Sequence, residues 1–195
     1  KTHLEKALAE HPDHPFTVEW HPFQLNPDMP AEGMARRVYL ERKFGGKEAA
    51  IKVYSQIEQT AEALGLPIDF AAMKRTPNTI DAHRLIHWAG LEQKQNAVVD
   101  ALFQAYFCMG IDIGNREALC DIAEVVGLER DVIAQLLAGD ADRAMIQDRD
   151  AHSRKMGITA VPTFIIANQH AVPGAQPPDV WTSIITELQG QLAET

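Results

Sequence analysis

The chain has 195 residues, 46% of them hydrophobic and 23% charged, with a formal net charge of -9. That balance belongs to an ordinary globular protein long enough to bury a substantial core, and it excludes extended disorder. The acidic excess without clustered Lys and Arg excludes a nucleic-acid surface, no apolar run is long enough to span a bilayer, and Cys108 and Cys120 are too few for a disulfide-stapled domain.

The first residue is Lys1, and a longer natural chain is the expectation. Leu4, Ala7 and Leu8 recur at helical spacing until Pro12 stops the helix. Phe16, Val18 and Trp20 alternate with polar residues, which predicts a half-buried strand, and Asn26 to Pro30 reads as a loop. From Ala31 to about Ala151 charged and apolar residues interleave at three- and four-residue intervals, which predicts six or seven helices. Breaks are expected at Phe44-Gly45-Gly46, Leu64 to Pro67, Lys74 to Thr79, Trp88-Ala89-Gly90, Gly110 to Asn115, Val126-Gly127-Leu128 and Ala138-Gly139-Asp140, with a short extended segment at Ile68 to Phe70. Met156-Gly157 closes the last of these helices, the glycine standing as its C-cap.

Gly157-Ile158-Thr159-Ala160-Val161-Pro162-Thr163-Phe164 then leads into the apolar run Ile165-Ile166-Ala167. Proline has no N–H to give a central ladder, so Pro162 marks the mouth of a strand, either as an ordinary trans residue or as a cis residue that exposes the edge of Val161 to a ligand. The strand from Thr163 to Ala167 turns at Asn168-Gln169 into His170 to Val172, a hairpin. Pro177-Pro178 suits the first turn of a final helix running to about Leu192.

These residues carry a resemblance. The Gly157 to Phe164 stretch resembles the cis-proline loop of thioredoxin-like proteins. Lys1 with Leu4 to Leu8, Thr17 to Leu25, Pro77-Asn78-Thr79 with Ala82-His83-Arg84-Leu85, and Gly174-Ala175-Gln176 resemble segments of the DsbA-like proteins of the FrnE type, in the same order. The resemblance implies an α/β thioredoxin-like fold split by a large all-helical insertion. Residues 1–30 and 152–195 would form the thioredoxin-like domain and 31–151 the insertion. The family's Cys-Pro-Trp-Cys loop and the strand before it are missing from the chain and would fall just ahead of Lys1, so no catalytic residue is expected within the chain itself.

What the resemblance implies for function is a cytoplasmic thiol–disulfide oxidoreductase acting on protein or small-molecule disulfides. A cysteine at a helix N-terminus would be acidified there and attack a substrate disulfide. Val161 and Pro162 would face the substrate, with Gln176, Asn78 and His83 as further substrate-binding candidates. No tightly bound cofactor and no nucleic-acid or membrane partner is expected, and glutathione is a candidate co-substrate. Two alternatives remain: a glutathione-dependent isomerase or transferase of the 2-hydroxychromene-2-carboxylate isomerase or kappa class, and a binding protein that keeps the fold without redox turnover.

Other residues read both ways. Cys108 and Cys120 are either buried free thiols or an auxiliary redox pair, the latter only if two helix faces bring them within disulfide range. His83 and His87, four apart, share a helical face, but no carboxylate or cysteine nearby completes a metal set, and hydrogen-bonding histidines are the expectation. Gln176 and Asp179 either cap the final helix or help its free N–H groups receive a carboxylate.

Overall fold

Two separate hydrophobic clusters divide the chain, which a computed structural model describes over residues 1–193. One unit joins Lys1–Glu19 to the chain from His152 onward, and the other runs from Trp20 to Ala151.

In the first unit, helix α1 (Thr2–Glu10) packs on the C-terminal helix. Leu4, Ala7 and Leu8 meet Trp181, Ile184 and Ile185, and Ala7 and Ile185 are shut off from solvent. A hairpin completes the core: β3 (Thr163–Ile166) pairs antiparallel with β4 (His170–Pro173), in the register Phe164 to Val172 and Ile166 to His170. Phe164, Ile166 and Val172 face inward, the Phe164 ring meeting that of Trp181 edge-on at 4.5 Å, while Ile165 and Ala171 point out, as the two-residue period of a strand requires. Ala167 and Asn168, both at positive φ, close the turn, with the Gln169 N–H bonded to the Ile166 carbonyl. The last helix, α9 (Pro178–Ala193), begins at Pro178, where the missing N–H is no loss. Gly157, at φ +86, ends the helix before it, and the Ile158 N–H reaches back to the Ser153 carbonyl.

Phe16 to Trp20 departs from expectation. Burial alternates along it as the sequence pattern demands, yet it joins no ladder among the described residues, and Phe16 serves the core as an irregular segment. Alternation records which side is wet, whereas a strand also needs a neighbour to receive its hydrogen bonds.

The second unit holds seven helices: α2 (Arg36–Phe44), α3 (Lys47–Ala63), α4 (Ile80–Leu91), α5 (Gln95–Phe103), α6 (Arg116–Val125), α7 (Arg130–Ala138) and α8 (Arg143–Lys155), the last continuing into the first unit. A two-residue ladder pairs β1 (Met34–Ala35) with β2 (Arg75–Thr76), a piece of sheet inside a stretch whose pattern reads as helical. Ile68 to Phe70 forms no strand. Gly90 does not break its helix; α4 continues to Leu91 and the chain turns at Gln93, at φ 57. Gly90 costs helix propensity but leaves room for the Gln95 amide, which would lie 3.2 Å from a Cβ at that position.

The core of this unit is built on Leu85, Ala89, Val98, Leu119, Ala123 and Leu137. Arg84 lies among them with no exposed surface. Its guanidinium donates to the carbonyls of Ala141 at 2.7 Å, Leu136 at 2.6 Å and Gly139 at 2.9 Å, and to Asp81 at 2.8 Å, with the Trp88 ring 4.9 Å away. Three of these acceptors are carbonyls at and beyond the end of α7, which have no helical partner of their own. Removing one partner of such a buried charged set leaves the others unpaired at a cost of about 3–5 kcal/mol. Arg84→Ala should therefore lower the unfolding free energy, read from urea denaturation, by that amount. Arg84→Lys should recover little of it, because an ammonium cannot reproduce a planar fork aimed at four acceptors.

Candidate functional site

Within the first unit, the start of α1, the Pro162 loop and the turn after β4 are joined by hydrogen bonds. The His3 ring nitrogen Nδ1 lies 2.8 Å from the Gln176 carbonyl oxygen. Gln176 Nε2 donates to the Pro173 carbonyl at 2.8 Å, and the Gly174 N–H donates to the Pro162 carbonyl at 2.8 Å. Thr163 Oγ1 closes the loop on the Ala160 carbonyl at 2.7 Å. The Val161–Pro162 bond is cis, and Val161 is 46% exposed.

Pro162, with Val161 before it, is thus tied to the turn that carries Gln176 through the Gly174 N–H. His3, which pattern reading passed over, is bonded to the same turn at the Gln176 carbonyl. Its signal was its position four residues before the buried Ala7, on the inward stripe of α1.

Asn78 and His83 belong to the other unit, where both hold the segment Phe23-Gln24. Asn78 Nδ2 donates to the Met29 carbonyl at 2.7 Å, while its Oδ1 accepts from the Ile80 N–H at 3.0 Å and from Gln24 Nε2 at 3.3 Å. The Gln24 N–H donates to Asp150 Oδ1 at 2.6 Å. His83 bonds to the Phe23 backbone, and loss of hydration on burial pushes its pKa down to about 4, against the opposing pull of Asp150 and of that bond. Asn78 also lines an open cleft of about 410 Å³ whose charged walls balance, Asp81 and Glu117 against Arg116 and Arg143. Among the described residues no group of three or more His, Cys, Asp or Glu is placed to hold a metal ion.

Neither cysteine is in a disulfide. Cys120 lies in the helical core at 2% exposure, where desolvation pushes its pKa up against the pull of Arg130. Cys108 ends a π-helical turn, Gln104–Cys108, and is half-buried. A thiol reagent should therefore label Cys108 in the folded protein and Cys120 only on unfolding, as peptide mapping after alkylation with and without urea would read.

His83 titrates at about 4 when folded against about 6.5 for a histidine in water, so stability falls as the pH drops below about 6.5 and the loss is complete below about 4. Between pH 7 and pH 4.5 the wild type should lose on the order of 2 kcal/mol more stability than His83→Gln, read from urea midpoints at the two pH values.

No helix among the described residues is long and apolar enough to cross a membrane. The profile of the DSBA-like thioredoxin domain matches residues 1–186. Uncharacterized protein YwbO of Bacillus subtilis (strain 168) is 30% identical over 173 residues, 88% of this chain and 82% of the relative. Among solved structures, a probable DsbA oxidoreductase from Streptomyces coelicolor is 28% identical with a TM-score of 0.84, over 96% of this chain and 82% of that one. A 2-hydroxychromene-2-carboxylate isomerase shares the fold at a TM-score of 0.68 and 17% identity, over 98% of this chain and 92% of the other. By the span of the family match and the identity to its relative, the chain belongs to the DSBA-like thioredoxin domain family.

Proposed function

We propose that the protein is a thiol–disulfide oxidoreductase of the DsbA type, in the FrnE-type subfamily, acting in the cytoplasm on disulfides of proteins or small molecules. The observation that carries this reading is the hydrogen-bonded link from the first turn of α1, through the Gln176 turn, to Pro162, next in the chain to the exposed Val161. The likeness to a probable DsbA oxidoreductase over 96% of the chain supports it.

In this reading the redox pair is a Cys-x-x-Cys ahead of Lys1, and Cys108 and Cys120 take no part. A thiolate at the start of a helix is stabilised by the partial positive charge there. It attacks one sulfur of the substrate disulfide and releases the other as a thiolate, giving a mixed disulfide. The second cysteine then attacks the enzyme's own sulfur in that bond, so the substrate leaves with both sulfurs reduced and the enzyme pair is oxidised. Val161 contributes backbone groups that can pair with an extended substrate, and Pro162 supplies no competing donor. Gln176, Asn78 and His83 are proposed as further substrate-binding residues, glutathione is a candidate co-substrate, and no bound cofactor, nucleic acid or membrane partner enters the reading.

The test is the natural gene product. Intact mass before and after alkylation under reducing conditions counts the thiols ahead of Lys1, and reduction of insulin disulfides reads the activity. Two upstream thiols with insulin reduction are the expected result. Two upstream thiols without disulfide exchange, or none at all, would overturn the reading, and a serine in place of the first cysteine would point to glutathione conjugation or isomerisation instead.

A further inference from the structure

We infer that His3 is a positioning residue for the exchange reaction, setting the distance and rotation between the first turn of α1 and the loop that presents Val161 and Pro162. The inference rests on the oxidoreductase reading above and adds to it a role for a side chain that acts through the Gln176 turn.

The contacts that hold α1 in its unit are otherwise mainly apolar. Leu4, Ala7 and Leu8 lie on Trp181, Ile184 and Ile185, and such burial is non-directional: it holds the helix down but leaves it tolerant of small slides and rotations. A hydrogen bond at 2.8 Å is directional and fixes position to tenths of an ångström. The Gln176 carbonyl can only accept, so His3 Nδ1 must carry the proton, and it does so in the neutral ring and in the imidazolium alike. His3 is half-buried, which shields the bond from competition by water.

The acceptor is not a free loop. The turn that carries Gln176 is locked by Gln176 Nε2 on the Pro173 carbonyl and by the Gly174 N–H on the Pro162 carbonyl. A shift of α1 relative to Gln176 is therefore passed to Pro162 through three short hydrogen bonds in series. In-line attack of a thiolate on a disulfide depends steeply on the placement of both sulfurs, and a misplacement of about 1 Å can cost up to about 100-fold in rate. For stability the same bond is worth only about 0.5–1.5 kcal/mol. Its loss should therefore show in turnover far more than in melting.

The experiment uses the full natural chain in insulin reduction, with His3→Ala and His3→Asn. The Asn Nδ2 stands near the place of His Nδ1 and can donate to the same carbonyl. His3→Ala should lower kcat/KM roughly tenfold with a melting temperature within a few degrees of wild type, and His3→Asn should restore it to within about twofold. An alanine variant as active as wild type would overturn the inference and leave the oxidoreductase reading standing. So would equal impairment of both variants, which would mark His3 as packing alone. A wild type with no disulfide exchange would overturn the functional reading and this inference with it.

Discussion

The buried guanidinium of Arg84 is the fixed point of the helical unit. Desolvating a cation in a protein interior costs several kcal/mol, and that cost is offset only when every donor finds an acceptor in good geometry. Here the acceptors are Asp81 one turn back on α4 and three carbonyls at and beyond the end of α7. Those carbonyls would otherwise be unpaired, so one side chain removes two deficits together. Asp81 in turn takes Arg143 at 2.8 Å and Arg116 at 3.4 Å, which carries the same set of charges to α8 and α6. Trp88 donates to Asp142 at 2.9 Å on the same stretch of chain. Four helices are thereby referred to a single point.

That anchoring bears on the segment that leads into the unit. α4 carries Asn78 just before its start and His83 one turn in, and α8 carries Asp150. These groups grip Phe23 and Gln24, while the Gln95 amide pairs with both the N–H and the carbonyl of Trp20, at 2.8 and 3.2 Å. A segment without a sheet partner thus has several of its backbone groups paired by side chains instead of a neighbouring strand. Charging His83 in this buried place carries a desolvation cost that Asp150 and the Phe23 bond offset only in part, which makes the grip sensitive to acid.

The first unit works by different means. Its core is small, three buried apolar side chains among the described residues with a rim of partly buried ones, and its geometry at the candidate site comes from backbone hydrogen bonds along the hairpin and from the relay between His3, Gln176 and Pro162. Nonpolar burial sets which faces meet, and the polar bonds set how they meet.

Much of this was legible in the sequence. The helix breaks at Gly45-Gly46, Gly127 and Gly139, the glycine end of α8 and the proline start of α9 all follow from backbone chemistry that single residues carry. The Pro162 loop and the Gln176 turn stood out for the same reason, since proline and glycine restrict or free the chain whatever surrounds them. Gly90 misled because its freedom was spent on a close approach by Gln95, a contact 75 residues from Trp20 at its other end. Phe16 to Trp20 misled because its pattern encodes a wet and a dry side but not the presence of a partner strand. What only the tertiary structure decided is which polar groups meet: His3 with Gln176, Gln24 with Asp150, Arg84 with the end of α7. Local propensity acts over a few residues and is written in them, whereas these bonds join residues 52 to 173 positions apart and exist only once the apolar faces have brought them together.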